Sequence, residues 1–386
     1  MFTDAVVRFV ERSFLVLSGN NSAVPRIKAA GVAAGQKVET TVDSEAARYY
    51  LKRERLPSYG DQKLYARVDA LRPESGSFAI SRDYLAQVAK AFSPDVAALH
   101  LAEHLFRSEL NRRFQSALQE QFTSLKALKA KGGNAPLPAG RYLVLFLPGM
   151  HYKSFPQTGA DFSKPRQILT QMGLKNALVE TDENGTVEGN AILIAENIRK
   201  HSRGSANIIL VSASKSGPET AQALGLVLGA RETQHVKAWI NIGGLLQGTY
   251  LADWALRWPK RWFVQLLFAF KGWGTQGAGS LTTARSRERF CRWQIPKHIL
   301  VINYVGLPLS GHITKRAQNN YRALRIHGPN DGLSLLSDEL VPDAITVVEL
   351  GLDHYYLSPE IDMKAAALAY TVIDHLEVSN SVQEMG

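Results

Sequence analysis

Cysteine occurs once in the 386 residues, as Cys291. A single cysteine excludes an intramolecular disulfide framework, offers no cysteine-based metal spacing, and suits a reducing compartment or simply a fold that needs no staples. Long hydrophobic runs are also missing. No stretch approaches the roughly 20 apolar residues that a membrane-spanning helix needs. The first residues are interrupted by Arg8, Glu11 and Arg12, so they make a poor secretory signal, and the acids count against a transit peptide. The cytoplasm is therefore the expected location. No internal repeat is visible. No nucleic-acid-reading motif accompanies the net charge of +10, so nucleic acid is not an expected partner. The basic excess reads as solvated lysine and arginine, with contact to an anionic membrane surface as the alternative.

What is present is an ordinary globular composition, 45% hydrophobic and 21% charged. The chain divides into a mainly helical region, residues 1–138, and an α/β region, residues 139–386. Apolar patches at Val6–Val10 and Phe14–Leu17 precede a small-residue, glycine-rich stretch from Ala29 to Gln36. Ser81 is placed to cap a helix over Asp83–Phe92, and Ser93-Pro94-Asp95 opens a long one running to about Leu128. His100 and His104 stand one turn apart. With no third ligand nearby they read as packed or solvated histidines, and no metal or organic cofactor is expected. Lys129 to Gly140 reads as a linker. Beyond it, strands are expected at 142–147, 177–180, 207–211, 236–242, 298–304, 323–326 and 345–350, alternating with helices and ending in a helix over 358–375. That alternation predicts a mostly parallel sheet with helices on both faces.

The stretch with the most chemistry is Val211-Ser212-Ala213-Ser214-Lys215-Ser216-Gly217. An apolar strand stops at small residues and a helical segment follows at once. A serine on so sharp a strand-to-helix turn brings its neighbours at minus two and plus two against the backbone, so both must be small. Ser212 and Ser216 satisfy that requirement in place of the usual glycines. A serine nucleophile needs a base, and the base needs an orienting acid. In a parallel sheet such groups lie in loops after the carboxyl ends of strands. Asp331, in Asn330-Asp331-Gly332, and His354, in Asp353-His354, stand in that position, in the order Ser214, Asp331, His354. The backbone N–H groups of Lys215 and Met150, the latter in the loop after the first strand of this region, are the candidate oxyanion donors. A Ser-Lys dyad using the Lys215 side chain ranks below the triad.

Leu147-Pro148-Gly149, the Ser214 stretch, Asn330-Asp331-Gly332 and Asp353-His354 together resemble an α/β-hydrolase of the lipase and esterase type, over residues 140 to 380. The segment from Ile242-Gly243-Gly244 to Trp254 is similar to the post-nucleophile segment of many such lipases. The resemblance implies hydrolysis of carboxylic esters through an acyl-enzyme on Ser214, with an ester or lipid as substrate. An acyltransferase, a thioesterase, and a catalytically silent fold that binds lipid or protein remain the alternatives.

All six tryptophans fall between Trp239 and Trp293, and Leu256–Lys297 carries nine basic residues against one acid, Glu288. Residues 254–297 are therefore the cap or lid candidate. Trp254, Trp262 and, in the loop after the first strand, Tyr152 are candidates for binding substrate. The apolar run Trp262–Phe270 reads either as part of a lid facing an acyl chain or as a buried helix with solvated basic flanks. The glycines from Gly272 to Gly279 read as a hinge or a plain loop. Nothing in the sequence specifies an oligomeric state.

Overall fold

Strand Ile27–Ala33 (β1) turns back at Ala34 and Gly35, both with positive φ (46° and 74°), and pairs antiparallel with Gln36–Val42 (β2). The computed structural model of the chain describes residues 24–52, 62–71, 80–130, 141–203, 207–258, 262 and 274–384. The hairpin adds strands to a region expected to be mainly helical. The small residues that obscure it in the sequence are the ones that allow it to pack. A side chain on Gly31 would sit 2.1 Å from the Leu51 carbonyl oxygen, so the strand takes glycine where helix Glu45–Lys52 (α1) comes closest. The patches at 6–10 and 14–17 lie outside the described residues, as do 131–140 of the expected linker.

The chain forms two compact units. The first gathers Met1–Asn111, Val305–Glu339 and Val348–Tyr356; the second, Arg112–Tyr304, Leu340–Val347 and Leu357–Gly386. In the first, Ser81 caps Arg82–Ala91 (α3, following Gln62–Asp69, α2) and Ser93 caps Pro94–Arg107 (α4), each accepting a backbone N–H as expected. One long helix over 94–128 is corrected to two. Ser108 leaves helical geometry, Asn111 donates to the freed carbonyl of Leu105 at 2.9 Å, and Glu109–Ala130 (α5) starts afresh. His100 is buried between Tyr50 and Tyr84, whose hydroxyls lie 3.5 and 3.2 Å from its ring nitrogens. Burial, then His104 and Arg107, lower its pKa to about 4.

The strand expected at 323–326 is also corrected, to a helix. Gln318–Leu324 runs into a 3₁₀ turn, Arg325–His327. A run as short as Ala323-Leu324-Arg325-Ile326 cannot separate the two conformations, and here a buried polar cluster decides. Tyr321 and Arg325 lie one helical turn apart, joined at 3.3 Å. From there Arg325 reaches Asp43 at 2.9 Å and Tyr321 donates to Asp95 at 3.2 Å.

A six-stranded sheet of order β4-β3-β5-β6-β7-β8 comprises Tyr142–Leu147 (β3), Lys175–Leu178 (β4), Asn207–Ala213 (β5), Val236–Ile242 (β6), Leu300–Leu307 (β7) and Ile345–Leu350 (β8), all in the second unit except the last three residues of β7 and of β8. The β3–β4, β3–β5, β5–β6 and β6–β7 pairings are parallel. The inner strands are apolar on both faces because helices cover both. Val187–Ser202, capped by Thr186, presents Ala191, Ile194, Ala195 and Ile198 to Leu145, Ile208, Leu210 and Trp239. Helix α5 lies along the closing helix Ile361–Glu384, with Gln121 donating to Asp374 at 3.0 Å and Lys126 meeting Glu360 at 2.5 Å. Sheet order reverses between β3 and β5, and ligands in open α/β sheets bind outside the strand ends at such a point.

Trp239 is fully buried and donates its Nε1–H to Ser212 Oγ at 2.8 Å, tying β6 to β5 beside Ser214. Trp239→Phe removes that donor and ring volume, and is expected to lower stability by about 2–3 kcal/mol in urea unfolding.

Candidate active site

Strand β5 ends at Ala213, and helix Ser216–Gln222 begins just after the turn at Ser214 and Lys215. Ser214 takes φ 56°, a left-handed backbone that costs a non-glycine residue about 1–2 kcal/mol. The turn is held from several sides. Ser214 N–H donates to the Ile242 carbonyl at 3.1 Å, and its carbonyl accepts from Leu245 at 3.0 Å and Gly217 at 3.1 Å. Ser216 Oγ accepts from Ala213 N–H at 2.9 Å and donates to the Leu147 carbonyl at 2.7 Å. The serines that replace the usual glycines therefore brace the turn, Ser212 through Trp239 on one neighbouring strand and Ser216 through Leu147 on the other. Glycine is required one step further on. A side chain on Gly217 would lie 2.7 Å from Gly244 Cα.

The loop after β3 passes alongside. A Cβ on Gly149 would be 3.8 Å from Ser214 Cβ. Gly149 N–H is committed to the Ala160 carbonyl at 3.0 Å, which leaves Met150 as the next amide in line. His151 follows with φ 57°. Tyr152 is buried, its hydroxyl donating to the Thr181 carbonyl at 3.1 Å and accepting from the Thr181 amide at 3.3 Å. The side chain is thus tied to Thr181, and Lys153 Nζ stands over its ring, 5.4 Å from the centroid. A parallel sheet, a sharp strand–serine–helix turn at the switch point and a β3 loop beside it make an α/β-hydrolase fold.

Lys215 turns its side chain away from the serine and into the interior. It pairs with Glu219, both side chains being nearly inaccessible. Asn190 donates to the same Glu219 oxygen at 2.8 Å and to the Asp182 carbonyl at 2.8 Å. Glu219 Oε2 has no hydrogen-bond partner among the described residues. Burial accordingly outweighs Lys215 and raises the carboxyl from the ordinary glutamate value to about 6. The sequence reading missed Glu219, although the Lys-x-x-x-Glu spacing at the start of a helix was visible.

The first unit holds the acid and the histidine. His354 Nδ1 lies 2.5 Å from Asp331 Oδ2, and His354 N–H donates to the Asp331 carbonyl at 3.0 Å. Asp331 Oδ1 accepts from the Leu333 and Ser334 amides, both at 2.8 Å. Burial pushes the Asp331 carboxyl up, but His354 and those amides together hold it below the usual aspartate value. Gly332 is needed at φ 95°, where a Cβ would meet Ala317 at 2.7 Å. Asp353 fixes the histidine loop by accepting from the Thr314 amide at 2.8 Å and the Tyr355 amide at 3.1 Å. A further buried acid, Glu339, places a carboxyl oxygen within 4.8 Å of donor atoms of Asp331 and His354. As two ligands of one ion, the 2.5 Å pair stands too close, because tetrahedral zinc separates its ligand atoms by roughly 3.4 Å.

Of the lid candidate, residues 259–261 and 263–273 lie outside the described residues, the last two of them belonging to the Gly272–Gly279 stretch read as a hinge or a plain loop. Trp254 sits half-buried in helix Tyr250–Leu256, and Trp258 and Trp262 are 77% and 71% exposed. No helix among the described residues is long and apolar enough to cross a membrane.

No protein-family model and no curated protein matches the chain. Among solved structures it is similar to a metagenomic carboxyl esterase, with 18% identity, a TM-score of 0.49 and coverage of 64% of this chain and 78% of that one. It is likewise similar to the mature lipase of Bacillus licheniformis (20% identity, TM-score 0.49, covering 62% and 94%). A third is phospholipase PlaB from Legionella pneumophila (13% identity, TM-score 0.40, covering 61% and 57%). Likeness at these values leaves the function to the chain's own residues.

The Lys215–Glu219 pair gives a test with a pH sign. Burial raises Glu219 in the folded state, so the stability linked to its proton is present at low pH and lost as pH rises through about 6. Without the lysine the carboxyl rises further. Lys215→Met is expected to cost roughly 3–5 kcal/mol at pH 8 and less at pH 5, and Lys215→Met with Glu219→Gln should recover much of it, all read from urea midpoints.

Proposed function

We propose that the chain is a serine hydrolase of carboxylic esters in which Ser214, His354 and Asp331 act as one triad. The observation that carries the reading is the left-handed Ser214 on a braced strand-to-helix turn, a strain that a merely structural serine has no reason to bear. The Asp331–His354 pair supplies its natural complement, in the chain order of this fold. Ser214 Oγ attacks the ester carbonyl while His354 Nε2 takes its proton. Asp331 holds Nδ1–H and stabilises the imidazolium. The amides of Lys215 and Met150 receive the developing oxyanion, and His354 returns the proton to the leaving alcohol. Water, activated by the same histidine, then releases the acyl group from Ser214. No step calls on the Lys215 side chain, which is committed to Glu219.

The substrate proposed is an ester with a hydrophobic acyl group. Its support is Trp254, Trp258 and Trp262 of the lid candidate, the last two highly exposed and within the basic segment. Exposed tryptophans among arginines also suit transient contact with an anionic membrane surface.

A fluorophosphonate probe should label the wild type, and Ser214→Ala should abolish labelling and lower ester turnover by about 10³-fold or more. An unlabelled wild type would favour a silent binding fold, and acyl transfer to an added alcohol or turnover of thioesters alone would point to the other chemistries.

Chain length provides a separate measurement. Long-chain p-nitrophenyl esters should be cleaved faster than the acetate. Trp258→Ala with Trp262→Ala should lower kcat/KM for the long chains about tenfold while leaving the acetate unchanged. Equal rates for acetate and long chains would remove the hydrophobic-acyl part of the proposal.

A further inference from the structure

Glu339 closes the 3₁₀ turn Leu336–Glu339, a short way after Asp331, where the chain folds back through a bridge between Asn330 and Leu335. It is completely buried, and its carboxyl faces the acid–histidine pair within 4.8 Å. Two carboxylates so close in a dry site do not both stay charged, so one proton is shared out between them. The surroundings assign it. Asp331 is stabilised as the anion by His354 and by the Leu333 and Ser334 amides. Glu339 faces the carboxylates of Asp331 and Asp338 instead, with the neutral phenol of Tyr356 close by, and the nearby Arg82 is committed to Asp338 at 2.7 Å. Burial first, and then Asp331, hold the Glu339 carboxyl well above the ordinary glutamate value.

We propose that Glu339 is a positioning residue for the Asp331–His354 pair: a neutral carboxyl that donates a hydrogen bond to Asp331 and limits the charge the aspartate presents to the imidazole. This deepens the triad reading and rests on it. The proton stays on Glu339 throughout turnover. Its role is to moderate how tightly Asp331 holds the imidazolium that forms during turnover. A glutamine keeps the shape and a donor without charge, whereas a methionine keeps the bulk and removes the donor.

The test compares the pH dependence of kcat/KM for an activated ester in wild type, Glu339→Gln and Glu339→Met, with folding checked by circular dichroism. Glu339→Gln should keep the acid limb where it is. Glu339→Met should move it upward by about half to one pH unit and lower kcat with little change in KM. Proton NMR of the downfield His354 Nδ1 proton, recorded in the Ser214→Ala background, reads the same coupling without turnover. It should be unmoved in Glu339→Gln and displaced in Glu339→Met, or in Glu339→Leu if the methionine variant does not fold. An acid limb that drops in Glu339→Gln means an ionised Glu339 and overturns the proposal, as does a resonance unmoved by loss of the donor. A failed triad would show instead as absent probe labelling with the NMR response intact.

Discussion

A serine in the left-handed region is the constraint to which the rest of its unit answers. Turning the chain from strand to helix over two residues leaves no room for side chains beside the backbone. Gly217 and Gly244 touch through bare backbone, and Gly149 brings the β3 loop to within side-chain distance of Ser214. The strain of about 1–2 kcal/mol persists because the surrounding contacts over-determine it. Backbone hydrogen bonds with Ile242, Leu245 and Gly217 fix the turn itself. The hydroxyls of Ser212 and Ser216 then fasten it to Trp239 and Leu147 on the strands to either side. Serine in the two glycine positions is thus compatible with the turn, since each hydroxyl is buried with a partner.

Three buried carboxyl groups follow one pattern, in which each is met by polar partners and often by backbone amides. Asp331 has a histidine and two amides. Glu219 has a lysine and an asparagine, and Asp95 has Ser310, Tyr321 and the Asp43 amide. Such pairs add little net stability over apolar replacements, yet losing one partner is expensive because it strands a charge. Their effect here is geometric. They hold loops that lack regular hydrogen-bond ladders in single conformations, including the two that carry Asp331 and His354.

The parts legible in the sequence were those whose cause is local. Small residues around Ser214, the glycine after Asp331 and the serine caps before Arg82 and Pro94 each reflect a steric or hydrogen-bonding demand within a few residues. Asp331 and His354 were readable as a pair because both fall in turns in the right order, although the segment before Asp331 proved helical. That helix, the break at Ser108 and the β1–β2 hairpin were illegible for a shared reason. Their conformations are chosen by partners outside the segment itself: Asp43 and Asp95 for Tyr321 and Arg325, the Leu105 carbonyl for Asn111, and the Leu51 backbone against Gly31. Glu339 carried no local signal at all.

The strand-to-helix turn at Ser214 and the turns that carry Asp331 and His354 were set by consecutive residues. Sterics at a sharp turn and the alternation of strand and helix are written in consecutive residues. Tertiary structure alone decided that Lys215 is buried against Glu219, that Ser212 and Ser216 are braces, and that Asp331 shares its surroundings with a second acid. Those outcomes depend on burial and on contacts between residues apart in the chain, and neither quantity exists until the chain has folded.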